Sequence, residues 1–501
     1  VAIQTAAEKA ADRQAEIASE VMAGLAVLSG QLEGEDTVTH HEGTDIRLPM
    51  DMDKETAWRL LRKLAVDEEE TYQVHKTFDY LPWDGARAVR IVLKRRFGYT
   101  MGKSTRGMFG GITPPQLVNI ETGIGTSESV PWGEVTLPYF DGGTLNVSGS
   151  RDGEKGLIFA VTATCKRKHS RSIEGLFVEI EAELRENSIY RGKAITASEK
   201  PNFIDVSGID PEDVVYTASV MEDAATYIWA NIWYPEELRR TSQLGKRLTV
   251  VHGTYGTGKT LMALLTAYYS MLAYDDPTLE RVTFIIVRAG QDDWRYAFNL
   301  ARLYGRCIIF IEDVDTLIDT NDPAQVSMLL DQLDGLRAKG LDASMVFTTN
   351  HIDRIHKGAL RPGRTDGLIE IGFMDRDGVE KLAKRTIKNL ASDINYDDLF
   401  TAFEGFTPAY VKEVFDRSIR RNIVRNQGHL TQISQEDLVH SANSLRPQLA
   451  LMEAAPEAMK RVGLDGALSE LIEQAAYRAA DKVVENRIDG AYIDDEHIRT
   501  C

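Results

Sequence analysis

Residues 1–30 are rich in alanine with Glu, Lys and Arg interspersed, which predicts a helix ending near Gly30. The acidic Glu33–Asp36 stretch reads as a linker. A second helix is predicted after Asp53, a suitable cap, with Ala57, Leu60, Leu61 and Leu64 on one face. From about 130 to 197 the period drops to two. Val178, Ile180, Ala182 and Leu184 alternate with Glu179, Glu181 and Glu183, which predicts a strand with one buried and one wet face. The run Leu157–Thr164 is its expected partner, joined to it by a hairpin over Lys166–Gly175. Residues 1–35 thus read as a helix and linker, and 36–200 as an α+β module.

After Pro201 short apolar runs alternate with helical patterns: Leu248–His252, Thr260–Leu272, Val282–Val287, Trp294–Leu303, Cys307–Ile311, Val326–Leu336, Ser344–Thr348 and Leu368–Phe373. Continuous apolar strands separated by helices describe a parallel sheet covered on both faces. The expected class is therefore α/β over 201–375, followed by a helical lid over 376–447 and a helical extension over 448–501. The last stripe, Leu468, Leu471, Ile472, Ala475, Ala479 and Val483, suits packing on its own chain or a neighbouring copy, because its polar face is not basic enough for a membrane surface.

Charge narrows the partners. The 501 residues carry 58 Lys+Arg against 76 Asp+Glu, a net charge of −18. A globally acidic surface repels phosphate backbones, so nucleic acid would need a local basic groove. The two basic runs, Lys94-Arg95-Arg96 and Lys166-Arg167-Lys168-His169-Ser170-Arg171, lack the interleaved aromatics of a single-strand platform and read as solvated loops. No apolar stretch approaches the roughly 18 residues of a spanning helix. The first residues lack the basic-then-apolar order of a signal peptide, so a soluble, cytoplasmic protein without a membrane partner is expected. Cys165, Cys307 and Cys501 are too scattered for a metal knuckle or a disulfide framework, and Cys307 is expected to fill a buried strand.

The chemistry begins after Leu248–His252, with Gly253-Thr254-Tyr255-Gly256-Thr257-Gly258-Lys259-Thr260 leading into a helical pattern. This is G-x-x-x-x-G-K-T in the strand–loop–helix context that makes the motif specific. Its glycines let backbone N–H groups turn inward around a phosphate, and the helix N-terminus adds its dipole. Lys259 is expected to reach the β- and γ-phosphates of ATP, and the Thr260 hydroxyl to ligate Mg²⁺. Downstream, the apolar run Cys307–Ile311 ends in Glu312-Asp313-Val314-Asp315, which places carboxylates at the sheet edge where nucleotide sits. One carboxylate, Glu312, is expected to hold Mg²⁺ and the other, Asp313, to polarise the attacking water.

Together these motifs resemble the AAA family of the larger AAA+ ATPase class. Leu329-Leu330-Asp331-Gln332-Leu333-Asp334-Gly335-Leu336 resembles that family's helix after the acidic strand, Val346-Phe347-Thr348-Thr349-Asn350 its polar sensor strand, and Ala359-Leu360-Arg361-Pro362-Gly363-Arg364 its arginine-finger segment. The run from Thr348 to Arg354, the Arg-Pro-Gly-Arg and the Glu-Asp order are most similar to the mitochondrial Rieske-protein translocase type. The resemblance covers about 212–447, roughly half the chain. It implies that Asn350 hydrogen-bonds the attacking water or γ-phosphate, and that Arg361 and Arg364 reach a neighbour's nucleotide. Such fingers imply a homo-oligomeric ring, hexameric with a heptamer as the alternative, whose N-terminal module takes a protein substrate or adaptor.

Four departures qualify that implication. The usual Gly-Pro-Pro-Gly of the phosphate loop is Gly253-Thr254-Tyr255-Gly256, and the usual Asp-Glu pair is reversed to Glu312-Asp313. Only Arg288 to Arg306 separates the second strand from the acidic strand, with no aromatic–aliphatic–Gly loop of the kind threading motors carry; Trp294 and Tyr296 are expected to pack in the core. The lid carries Phe406-Thr407-Pro408-Ala409, and its Arg417, Arg420, Arg421 and Arg425 read as a solvated or intersubunit face. The expected function is remodelling, unfolding or translocation of a protein. A nucleic-acid-directed motor or loader, and a slow ring with a mainly assembly role, are the alternatives.

Overall fold

A computed structural model describes residues 39–41, 44–46, 52–98, 101–102, 105–106, 112–113, 116–243, 248–317, 328, 331–332, 335, 341–355, 360–361 and 364–462. The helix and linker expected before residue 36, most of Val326–Leu336, and the apolar stripe after residue 462 lie outside the described residues.

Helix α1 (Lys54–Glu69) starts where expected: Asp53 Oδ1 accepts the Thr56 N–H at 2.9 Å and caps it. Of its apolar stripe, Ala57, Leu61 and Leu64 are half-buried and Leu60 is exposed. Strand β1 (Thr71–Phe78) and helix α2 (Pro82–Phe97) follow, then the hairpin β2 (Leu117–Gly123) and β3 (Thr126–Pro131). Strands β4 (Gly133–Thr136), β5 (Thr144–Asp152) and β6 (Gly156–Lys166) join β1 in an antiparallel sheet of order β1-β6-β5-β4, with Met101–Gly102 at its edge. Leu157–Thr164 is thus a strand, but its partners are β1 and β5.

The strand expected over 178–184 is instead part of helix α3 (Ser170–Asn187). Ile173, Leu176, Phe177, Ile180 and Leu184 are its buried apolar residues, a helical spacing that runs the length of the element, whereas Val178 is 64% exposed. The alternation misleads because the glutamates between the apolar residues reach different neighbours. Glu179 pairs with Arg96 at 3.1 Å, Glu181 with Lys76 at 2.8 Å, and the buried Glu183 with Arg95 at 2.6 Å. The hairpin expected over Lys166–Gly175 is likewise a short 3₁₀ turn, Arg167–His169, opening α3. Its cations are taken up internally: Lys168 by Glu69 at 2.8 Å and Asp141 at 2.9 Å, Arg167 by Glu70 at 3.4 Å.

The second sheet is parallel throughout: β7 (Ala194–Thr196), β8 (Leu248–His252), β9 (Thr283–Val287), β10 (Cys307–Ile311), β11 (Ala343–Thr349) and β12 (Gly367–Glu370), in the order β7-β9-β10-β11-β8-β12. Helices α4 (Lys259–Asp275) and α5 (Trp294–Tyr304) link its central strands. Ile308 and Phe310 pack with Met262 and Leu265 of α4, while Ile309 and Ile311 share a cluster with Phe298 and Ala301 of α5. Both faces are covered, which is why these strands read as unbroken apolar runs. Cys307 is buried and free in β10, and Trp294 and Tyr296 pack against the α5-side cluster, as expected.

That α5-side cluster continues without a break into the N-terminal module, taking in Phe78, Leu81, Phe159, Leu176 and Tyr190. The module therefore shares a core with the parallel sheet. Polar contacts fix the joint: the Leu81 N–H donates to the Tyr304 hydroxyl at 3.2 Å, and Asp84 Oδ1 accepts the Ile189 N–H at 3.1 Å while Oδ2 accepts the Ser188 hydroxyl. Beyond the sheet, α6 (Arg376–Thr386), α7 (Tyr396–Ala402), α8 (Pro408–Arg425) and α9 (Gln435–Val462) close around a separate core including Val379, Leu399, Phe406, Phe415 and Leu438. Arg421 and Arg425 on α8 face the buried Asp437, and Arg417 and Arg420 face Glu413.

Burial of Asp84 outweighs its hydrogen bonds and pushes its carboxyl from 3.8 up to about 7. Between those values the unfolded chain has released a proton that the folded chain retains, so this group's contribution is full below about pH 4 and is lost as pH rises towards 7. Asp84→Asn keeps the shape and removes the titration. In urea unfolding the variant is expected to gain on the wild type from pH 5 to pH 8, by on the order of 2–4 kcal/mol. A pH-independent difference would contradict the buried-acid assignment.

Candidate active site

Three adjacent strands deliver the site. Strand β11 lies between β8 and β10, with Val251 opposite Thr348 and Phe347 opposite Ile311. Because all three run the same way in this register, the residues following them, Gly253, Glu312-Asp313 and Asn350, emerge together at one sheet edge.

The loop Gly253–Gly258 turns from β8 into α4. A Cβ on Gly253 would stand 2.1 Å from the Ile371 carbonyl oxygen, so no other residue fits there. Gly258 caps α4 at φ +107°, a conformation L-residues rarely adopt. Thr257 closes the turn by donating to the Thr254 carbonyl at 2.9 Å. Lys259, 7% exposed, donates from Nζ to the Gly253 and Thr254 carbonyls at 2.8 and 2.9 Å, which leaves one of its three ammonium protons uncommitted. Burial lowers its pKa, and Asp313 and Asp315 oppose that. Tyr255 is 60% exposed and meets the His351 ring edge-on at 6.2 Å.

On the facing strands, the Glu312 N–H donates to the Val287 carbonyl at 2.9 Å. Burial raises the Glu312 pKa, opposed by its hydrogen bond with Thr260 and by the Arg288 charge, and reinforced by Asp313 and Asp292. Asn350 Nδ2 donates to Asp313 Oδ1 at 3.0 Å. Among the described residues, Glu312 Oε1, Asp315 Oδ1 and Asn350 Oδ1 are buried acceptors without a hydrogen-bond partner. Such oxygens suit a hydrated cation and an ordered water. No group of three or more His, Cys, Asp and Glu among the described residues forms a metal cage. A cation there would rest on a hydroxyl, a carboxylate and a phosphate, the usual arrangement for Mg²⁺.

Arg361 and Arg364 are elsewhere. They lie on an exposed turn, the Arg364 N–H donating to the Arg361 carbonyl at 3.0 Å, just before β12. Gly367 of β12 pairs with Thr249 near the start of β8, and the phosphate loop follows its end. The arginines therefore sit at the opposite sheet edge from their own chain's phosphate loop, on the order of 15 Å away along the strand.

Other contacts to the loop come from residues to which the sequence assigned no contact with it. The Tyr216 hydroxyl donates to the Gly258 carbonyl at 2.7 Å, and the Ala409 N–H at the start of α8 donates to the Gly256 carbonyl at 3.0 Å. A narrow cleft beside the loop is lined by Tyr216, Thr257, Ile371, Phe373, Met374 and Gly378. Tyr216 and Ala409 reach the loop across 42 and 153 residues of chain, a proximity that only the folded sheet and lid create.

Residues 249–373 match the family described as "ATPase family associated with various cellular activities (AAA)". The chain is 27% identical over 245 residues to a proteasome-activating nucleotidase of Methanocaldococcus jannaschii, covering 46% of this chain and 55% of the relative. It is 27% identical over 237 residues to the proteasome-activating nucleotidase of Sulfurisphaera tokodaii, covering 44% and 58%. To an ATP-dependent zinc metalloprotease FtsH of Mycoplasmoides gallisepticum it is 25% identical over 249 residues, covering 46% and 30%. The chain thus spans little more than half the length of the archaeal relatives it matches, and less of FtsH. Where these matches and the sheet-edge geometry coincide, the chain carries an AAA ATPase domain.

Proposed function

We propose that the chain hydrolyses Mg-ATP in a ring of its own copies and uses the energy to remodel, unfold or translocate a protein. The convergence of the phosphate loop, Glu312-Asp313 and Asn350 on one sheet edge carries this reading. The Gly253–Thr260 segment would hold the phosphates, through its inward N–H groups and Lys259, and the cleft at Tyr216 and Phe373 would take the base. Thr260 and Glu312 would hold Mg²⁺, which when bound neutralises charge on the phosphates. Asp313 takes the proton of the attacking water as its oxygen bonds the γ-phosphorus and the bond to the β-phosphate oxygen breaks, leaving that electron pair on ADP. Asn350 orients the pair.

Arg361 and Arg364 complete a site in the neighbouring subunit. Their exposure, at the edge remote from their own loop, supports a contact in trans. The motif order is that of the Rieske-protein translocase type, and the short connection between β9 and β10 is in keeping with it. The N-terminal module selects the protein substrate and, sharing a core with the sheet, moves with it, while α6–α9 form the moving lid. A nucleic-acid motor finds no support in the basic runs, whose ion pairs with Glu69, Glu70, Asp141, Glu179 and Glu183 neutralise them. A mainly assembling ring is the second reading, favoured by the packing of Trp294 and Tyr296 into the core.

The test is ATP turnover with an unfolded casein-like protein or with DNA, alongside mass by light scattering. A multiple of 55.9 kDa and stimulation by protein alone are expected. Stimulation by DNA would favour the motor, and a ring with negligible turnover the assembly role.

A further inference from the structure

Asp313 sits at φ +45°, where few residues other than glycine are found. Such a conformation persists only where its surroundings hold it. Here nearly every polar group of the residue is tied. Its N–H donates to Thr348 Oγ1 at 2.8 Å, its carbonyl accepts the Thr316 N–H at 2.8 Å and the Thr316 hydroxyl at 2.7 Å, and Oδ1 accepts from Asn350. Among the described residues nothing hydrogen-bonds Oδ2.

Thr348 is 1% exposed on β11, all seven residues of which are buried. Valine would pack equally well at such a position, so the hydroxyl is explained by the bond it makes and not by burial. That bond reaches the backbone of Asp313, the non-glycine residue of the site that sits at positive φ. Asp is also a methylene shorter than Glu, so the position of its carboxylate depends directly on where the backbone is held.

Resting on the reading of Asp313 as the hydrolytic base, we infer that Thr348 is a positioning residue: its hydroxyl locks the Asp313 backbone in the left-handed conformation that brings the short carboxylate to the attacking water. Without the hydroxyl the Asp313 N–H loses its partner and the peptide relaxes. Displacements of about 1 Å at a reacting group cost on the order of a hundredfold in rate.

The experiment measures kcat and the Kd of a fluorescent ATP analogue for Thr348→Val, Thr348→Ser and Asp313→Asn, with the melting temperature of each. Thr348→Val is expected to lower kcat by about 10- to 100-fold with Kd held within about twofold. Thr348→Ser is expected to restore turnover to within a few-fold, because it restores the acceptor. Should Thr348→Val not fold, Thr348→Ala supplies the same readout. Wild-type kcat in Thr348→Val overturns the inference, as does a fall that serine does not rescue or that Kd follows. If Thr348→Val is normal while Asp313→Asn is inactive, only the role of Thr348 fails. If Asp313→Asn turns over normally, the assignment of the base fails first.

Discussion

Lys259→Ala is expected to abolish measurable ATP binding. The ammonium is buried at the mouth of α4, committed to two loop carbonyls and left with one proton for a phosphate, and its charge is the one cation the motif places against the β- and γ-phosphates. Each hydrogen bond to a charged group is worth about 1.5–3 kcal/mol, and the loss of charge adds to that, so affinity falls by at least about a hundredfold. Calorimetric titration with ATP, on a variant whose circular dichroism matches the wild type, measures it. Undiminished affinity would remove Gly253–Thr260 as the phosphate site.

Asp313→Asn is expected to bind ATP as the wild type does and to stop turning it over. The amide is the same size and can still accept from Asn350, but it cannot take a proton from water. General-base catalysis contributes typically 10²–10⁴-fold, and a fall in kcat of that order is expected with Kd unchanged. Trapped with ATP, the variant should also give the more stable ring. Normal turnover would move the base to Glu312 or to Asp315, each of which has a buried oxygen without a partner.

Much of the ATPase half was legible in the sequence because its physics is local. A sheet covered on both faces needs unbroken apolar strands, and Leu248–His252, Cys307–Ile311 and Ser344–Thr348 supply them; a phosphate loop needs its glycines and lysine at fixed spacing. The N-terminal half was less so. Seven alternating residues over 178–184 imitate a strand, and only the longer Ile173-to-Leu184 stripe, anchored by ion pairs to α2 and β1, reveals the helix. The antiparallel partners of β6 were likewise hidden, since register between distant strands leaves no local mark. At the site, Lys259, Glu312, Asp313 and Asn350 announce themselves by residue type and order. What Thr348, Tyr216 and Ala409 contribute does not, even though Thr348 and Ala409 fall in segments the sequence singled out, because it is one hydrogen bond each across the fold.

The arginines show the same limit from the other side. Their motif is clear, yet the fold places Arg361 and Arg364 at the far edge of the sheet, so the role proposed for them would need a second copy of the chain. The Asp84–Tyr304 joint has the opposite character. Nothing about Asp84 in the sequence distinguishes it, but its burial beside the last turn of α5 ties the N-terminal module to the helix that leads into the acidic strand.

The most direct test of the central claim is phosphate release by the purified chain with saturating ATP and Mg²⁺, using Lys259→Ala as the blank. Steady release above the blank, abolished by chelating the metal, is the expected result. Release no greater than the blank, in protein that is folded and assembled, would contradict it.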